Sequence, residues 1–215
     1  MKLKELFGKK RIVGYAGNRN SGKTNNLIAL VEDFRKSNKT TEFYIYGVDR
    51  FTLDYLKKFG NVFEISSLDQ LVGKKDCIFI IDEMQKLHLS DKRYKDLIDN
   101  LISMIYHPEN NNYLILCSPS LREFNSVIGS RIERWAVKSI KFSDLVNGSP
   151  LKDAVRNYQG NYKQLNDIIM PYDKLLVFND ERELIINLRY VVEADTKKGI
   201  KDLFLVEKKK SEKKS

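Results

Sequence analysis

Gly17, Gly22, Lys23 and Thr24 stand at the spacing G-x-x-x-x-G-K-[ST], filled here as GNRNSGKT. Glycines at those two places let the backbone wrap so that successive N–H groups face the outer phosphates of a nucleotide. The helix that follows adds its positive N-terminal end. Lys23 supplies a charge to the same phosphates, and the Thr24 hydroxyl is placed to ligate Mg²⁺. Gly17, Asn18, Arg19, Asn20, Ser21, Gly22, Lys23, Thr24 and Asn25 are therefore the candidate nucleotide-binding residues. The chemistry they predict is binding of a nucleoside triphosphate.

A second cluster of chemistry-bearing residues closes the run Asp76-Cys77-Ile78-Phe79-Ile80-Ile81-Asp82-Glu83. An apolar stretch of this length fits a central parallel strand buried on both faces, and open α/β sheets bind ligands at the carboxyl ends of such strands. Neighbouring side chains on a strand point to opposite faces, which predicts separate roles for the two acids. Asp82 is assigned to the Mg²⁺ shell alongside Thr24, through water, and Glu83 to polarising an attacking water. A second acid of this kind points to hydrolysis rather than simple phosphoryl transfer.

The elements that must position these groups follow from periodicity. Arg11–Ala16 reads as a short buried strand, and Leu27, Ile28, Leu30, Val31 and Phe34 recur at helical spacing behind the loop. Further strands are expected over 42–48, 61–65, 112–118, 134–140 and, more weakly, 174–178. A short helix is expected over 51–59 and a longer one from Lys92 to Tyr106, closed by His107-Pro108. The stretch 143–171 reads as a polar excursion, partly helical from Leu151 to Tyr158. Residues 183–192 fit a helix or a strand equally. Alternating strands and helices predict an α/β fold with a mostly parallel sheet flanked by helices. The expected organisation is one domain over 1–200, with a motif-bearing core at 10–140, an extension at 141–200, and a charged, disordered tail at 201–215.

Composition narrows the partners. Thirty-eight basic against 29 acidic residues give a net charge of +9, part of it in the lysine-rich tail, so nucleic acid or an acidic partner is plausible. No apolar run approaches the ~20 residues of a membrane span, and the first ten residues lack the apolar core of a signal peptide. Cys77 and Cys117 fall in expected buried strands, as core thiols suited to a reducing, cytoplasmic setting. His88 and His107 lack metal-ligand spacing.

The phosphate loop, the segment IIDEMQKL (80–87) and the block LILCSPSLREFNSVIGSRIERWAVKSI (114–140) together resemble the additional-strand, catalytic-glutamate division of P-loop NTPases. Within it they are similar to the FtsK–HerA group, especially the genome-packaging ATPases of double-jelly-roll viruses. The resemblance implies ATP as substrate, no guanine-reading Asn-Lys-x-Asp motif being present. It also implies Ser118 or Ser120 in a sensor place and Arg131 or Arg134 as an arginine acting in trans, with Arg122 a third candidate. A ring-like homo-oligomer moving double-stranded DNA is the implied assembly. Lys86, Lys92, Arg93, Lys95 and Arg122 are the candidate DNA-facing cations. Two alternatives remain open: an assembly ATPase similar to the zonula-occludens-toxin-like phage proteins, acting on a capsid or membrane protein, and a nucleotide-dependent switch.

Overall fold

A computed structural model describes residues 2–18, 21–84, 92–119, 124, 126–141, 143, 145, 150–159, 167–171, 173–178 and 183–188. The elements run α1 (Lys2–Phe7), β1 (Ile12–Gly17), α2 (Lys23–Ser37), β2 (Glu42–Tyr46), α3 (Arg50–Lys57), β3 (Val62–Glu64), a 3₁₀ turn (Leu68–Leu71) and β4 (Cys77–Ile81). They continue with α4 (Lys92–Tyr106), β5 (Tyr113–Ser118), α5 (Ser126–Gly129), β6 (Arg134–Ile140), α6 (Pro150–Tyr158), β7 (Ile168–Ile169), β8 (Lys174–Phe178) and β9 (Glu183–Asn187). Of the stretch 183–192, which fits a helix or a strand equally by sequence, Glu183–Asn187 is a strand.

Among the described residues the sheet has nine strands in the order β3-β2-β4-β5-β1-β6-β8-β9, with β7 also on β6. From β3 to β6 every pairing is parallel. Beyond β6 every pairing is antiparallel. The parallel part accounts for the unbroken apolar runs: all the residues of β1, β4 and β6 are buried, as strands covered on both faces must be. One face packs Leu27, Ile28, Leu30 and Val31 of α2 on Val13 and Tyr15, with Leu3 and Leu6 of α1 beside them. The other packs Ile98, Leu101, Ile102 and Ile105 of α4 on Phe79, Ile81 and Leu116.

Buried polar groups tie the elements together where backbone ladders end. The Glu133 carboxylate accepts from the N–H groups of Arg11 and Ile12, at 2.7 and 3.0 Å, and so secures the start of β1. Arg35, at the end of α2, donates to the carbonyls of Asn38, Thr41 and Phe59. Replacing it with methionine strips charged donors from three carbonyls and should cost about 3 kcal/mol at roughly 1 kcal/mol each. Urea denaturation would show this as a lowered midpoint at unchanged slope.

Candidate nucleotide-binding site

Every described phosphate-loop residue sits at the carboxyl end of β1. Gly22 closes the loop in a left-handed conformation, φ 89° and ψ 17°, and is the N-cap of α2. Its carbonyl accepts from Asn26 N–H at 3.0 Å. Gly17 is needed for space: a Cβ there would stand 2.9 Å from both the Lys138 Cβ and the Ser21 Oγ. The Asn18 N–H donates to the Ser139 carbonyl and its side-chain amide to the Ser139 hydroxyl, both at 3.2 Å. Lys23 is nearly buried, and its ammonium donates to the carbonyls of Gly17 and Asn18. The loop therefore ties its cation to its own backbone carbonyls. Arg19, Asn20, Ser120, Lys86 and Arg122 lie outside the described residues, as do the side chains of Lys92, Arg93 and Lys95.

The Thr24 hydroxyl donates to an Asp82 carboxylate oxygen at 2.9 Å, joining residues 58 positions apart. Asp82 is 3 % exposed, and burial pushes its carboxyl up, opposed by the Thr24 hydrogen bond and the Lys23 charge. A cation at that oxygen pair would offset the same desolvation. One hydroxyl and one carboxylate oxygen suit Mg²⁺, which takes one or two protein oxygens and completes its shell with water and substrate phosphates. The described residues contain no cluster of three or more His, Cys, Asp or Glu able to hold a metal by protein ligands alone. This pair fits the ion.

Glu83 departs from the geometry expected of it. The strand ends at Ile81, so alternation along β4 does not separate the two acids. They are separated by a backbone turn: Glu83 adopts φ 53°, and its N–H donates back to the other Asp82 oxygen at 3.0 Å. A left-handed glutamate costs roughly 1–2 kcal/mol. Sequence reasoning also passed over what supports this turn. Gly47, at φ 86°, follows β2, and a Cβ there would fall 2.1 Å from the Asp82 carbonyl oxygen. The Asp82 N–H donates to the Tyr46 carbonyl at 2.8 Å. A glycine directly after the run Phe43-Tyr44-Ile45-Tyr46 was the available sign of a close backbone approach.

Ser118, fully buried, ends β5 beside Ala16, within the same end of the sheet. Tyr15, buried behind the loop, is hydrogen-bonded to Asn26, and burial pushes its hydroxyl well up. The two candidate arginines are not brought to this end. Arg134 pairs in register with Val13, four residues before Gly17, hence about 13 Å down the strand. Arg134 is buried, and its guanidinium donates to the Glu5 carbonyl of α1 at 3.1 Å. Arg131 precedes it on the same lower edge and is exposed. Neither reaches the phosphate loop of its own chain.

A loop of this form on β1, acids after β4, and β5 inserted between those strands define the P-loop NTPase fold of the additional-strand type. No family model matches the chain, and no curated protein matches it in sequence. Solved structures do. The DNA-packaging ATPase B204 from Sulfolobus Turreted Icosahedral Virus superposes with a TM-score of 0.57 at 13% identity, over 84% of this chain and 98% of that one. The cytoplasmic domain of the Thermomonospora curvata type VII secretion ATPase EccC gives 0.60 at 12% identity, over 85% of this chain and 26% of that one. The pCW3 conjugation coupling protein TcpA, solved with ATPγS, gives 0.53 at 11% identity, over 84% and 60%. The fold is that of these ATPases, and the resemblance to viral packaging ATPases read from the sequence recurs in the structure.

Proposed function

We propose that the chain is an Mg²⁺-dependent ATPase that translocates double-stranded DNA as a ring-like homo-oligomer, packaging a viral or mobile-element genome. The observation that carries the catalytic half is the Thr24–Asp82 contact beside Glu83, whose backbone is left-handed. The motor half is supported by likeness along nearly the whole length of a packaging ATPase.

When bound, Mg²⁺ would supply neutralisation of charge on the outer phosphates and a fixed point for their orientation. Thr24 and Asp82 would hold it, and the backbone N–H groups of the loop would cradle the phosphates. Lys23 would exchange its two carbonyl partners for phosphate oxygens. Glu83 would take the proton of a water whose oxygen bonds to the γ-phosphorus as the bond from that phosphorus to the β-bridging oxygen breaks. ADP and phosphate leave, and the proton passes from Glu83 to solvent. Arg131, exposed on the lower edge, is the arginine free to serve a neighbouring subunit; Arg134 is held by α1.

The test is steady-state ATP hydrolysis with and without long duplex DNA at two salt concentrations. Stimulation of about tenfold that fades as salt rises is expected, because phosphate contacts release counterions. Equal rates at low salt would defeat the DNA reading. The likeness to EccC favours the second reading, an ATPase acting on a protein partner, and basal hydrolysis indifferent to DNA is its expected signature.

A further inference from the structure

The extension beyond β6 is joined to the phosphate loop by more than chain continuity. At the loop, the β1–β6 register slips, so that Ala16 faces Val137 but Gly17 faces Ser139, and Lys138 is the extra residue. Such a bulge re-aims one side chain. Lys138 is fully buried, and its ammonium donates to the carbonyls of Pro171 and Lys174. Those two residues bound a tight turn, closed by Lys174 N–H to the Pro171 carbonyl at 3.0 Å. The end of β9 holds it too, through Leu188 N–H to the Asp173 carbonyl. The turn interrupts what would otherwise be one strand along β6, with β7 before it and β8 after it. In β7, Ile169 pairs with Ser139, in the same row as Gly17 and two strand spacings away, about 10 Å. It is 77% exposed, the most exposed large apolar side chain among the described residues.

The direction of a bound nucleotide follows from the other side of the site. Thr24 and Asp82 mark where the outer phosphates lie, toward β4. A nucleoside triphosphate is a linear chain of groups, so its sugar and base extend the opposite way from Gly17, over β6 and toward β7. There they would meet the exposed Ile169 and Pro171.

We propose that Ile169 and Pro171, the latter pinned through its carbonyl by the buried Lys138, form the seat for the nucleoside half of the bound triphosphate. The proposal rests on the nucleotide-binding reading above and gives the extension a role in it. Ile169 supplies apolar surface for the base, and Lys138 is a positioning residue, too deeply committed to touch ligand itself.

Affinities of Mg²⁺–ATP and of Mg²⁺–inorganic triphosphate, measured for wild type, Ile169→Asn, Lys138→Met and Lys23→Ala, separate the possibilities. Wild type is expected to prefer ATP by about tenfold, the scale of one buried aliphatic contact. Ile169→Asn and Lys138→Met should shrink that preference to roughly threefold or less, while triphosphate itself binds within about twofold of wild type. A preference left intact in Ile169→Asn overturns the seat. That variant alone decides if Lys138→Met does not fold, since its side chain is exposed. Wild type binding both ligands no better than Lys23→Ala would instead remove the nucleotide reading beneath it.

Discussion

Replacing Glu83 with glutamine should lower ATP turnover by about three orders of magnitude, within the range general-base removal gives, while ATP binding stays within about twofold of wild type. The amide keeps the shape of the side chain and the N–H contact to Asp82, and it leaves the Thr24–Asp82 pair untouched. What it removes is the basic oxygen that accepts the water proton. A second substitution sharpens the argument. Glu83 holds φ 53°, where glycine has no Cβ to strain. Glu83→Gly should therefore be as stable as wild type or up to about 1 kcal/mol more so, yet no faster than Glu83→Gln. Stability retained as activity falls is the mark of backbone strain kept for chemistry. Normal turnover in Glu83→Gln would remove Glu83 from its role and leave the left-handed conformation without a purpose.

How much of this was readable beforehand depends on the distance over which each feature is encoded. The loop at 17–24 and the acids at 82–83 are local patterns, and the fold only had to bring the ends of their strands to one edge of the sheet, where β1 and β4 stand on either side of β5. The helix Lys92–Tyr106 was legible at both ends because an apolar stripe runs into His107-Pro108. By contrast α1 is six residues long, too short for a periodicity, and shows itself only through Leu3, Leu6 and Phe7 entering the core. Lys138 reads as an ordinary charge in a strand, because the carbonyls that satisfy it lie 33 and 36 positions away. Arg131 and Arg134, which the resemblance gives as arginines acting in trans, stand just before β6 and at its first position. That strand runs parallel to β1, which places its beginning at the end remote from the loop.

Gly47→Ala should lower turnover by about a hundredfold or more with ATP affinity little changed, although residue 47 touches no ligand. The Asp82 carbonyl oxygen occupies the place where an alanine methyl would stand, 2.1 Å from the Cβ position. Backbone oxygen cannot move aside as the end of a side chain can. The Asp82–Glu83 peptide would have to shift, and it carries the N–H that bonds the Asp82 carboxylate and leads into the left-handed backbone of Glu83. The phosphate loop is built on β1 and α2, so affinity for the triphosphate should survive. Positive φ at 47 adds a strain of roughly 1–2 kcal/mol to any L-residue there, a loss visible in thermal melts but far short of unfolding a domain of ordinary stability. The decisive comparison is the double variant. If Gly47 acts by aiming the glutamate, Gly47→Ala should cost almost nothing further once Glu83 is already glutamine. Full, independent losses in the double variant would mean that Gly47 supports the fold and not the water-activating carboxylate.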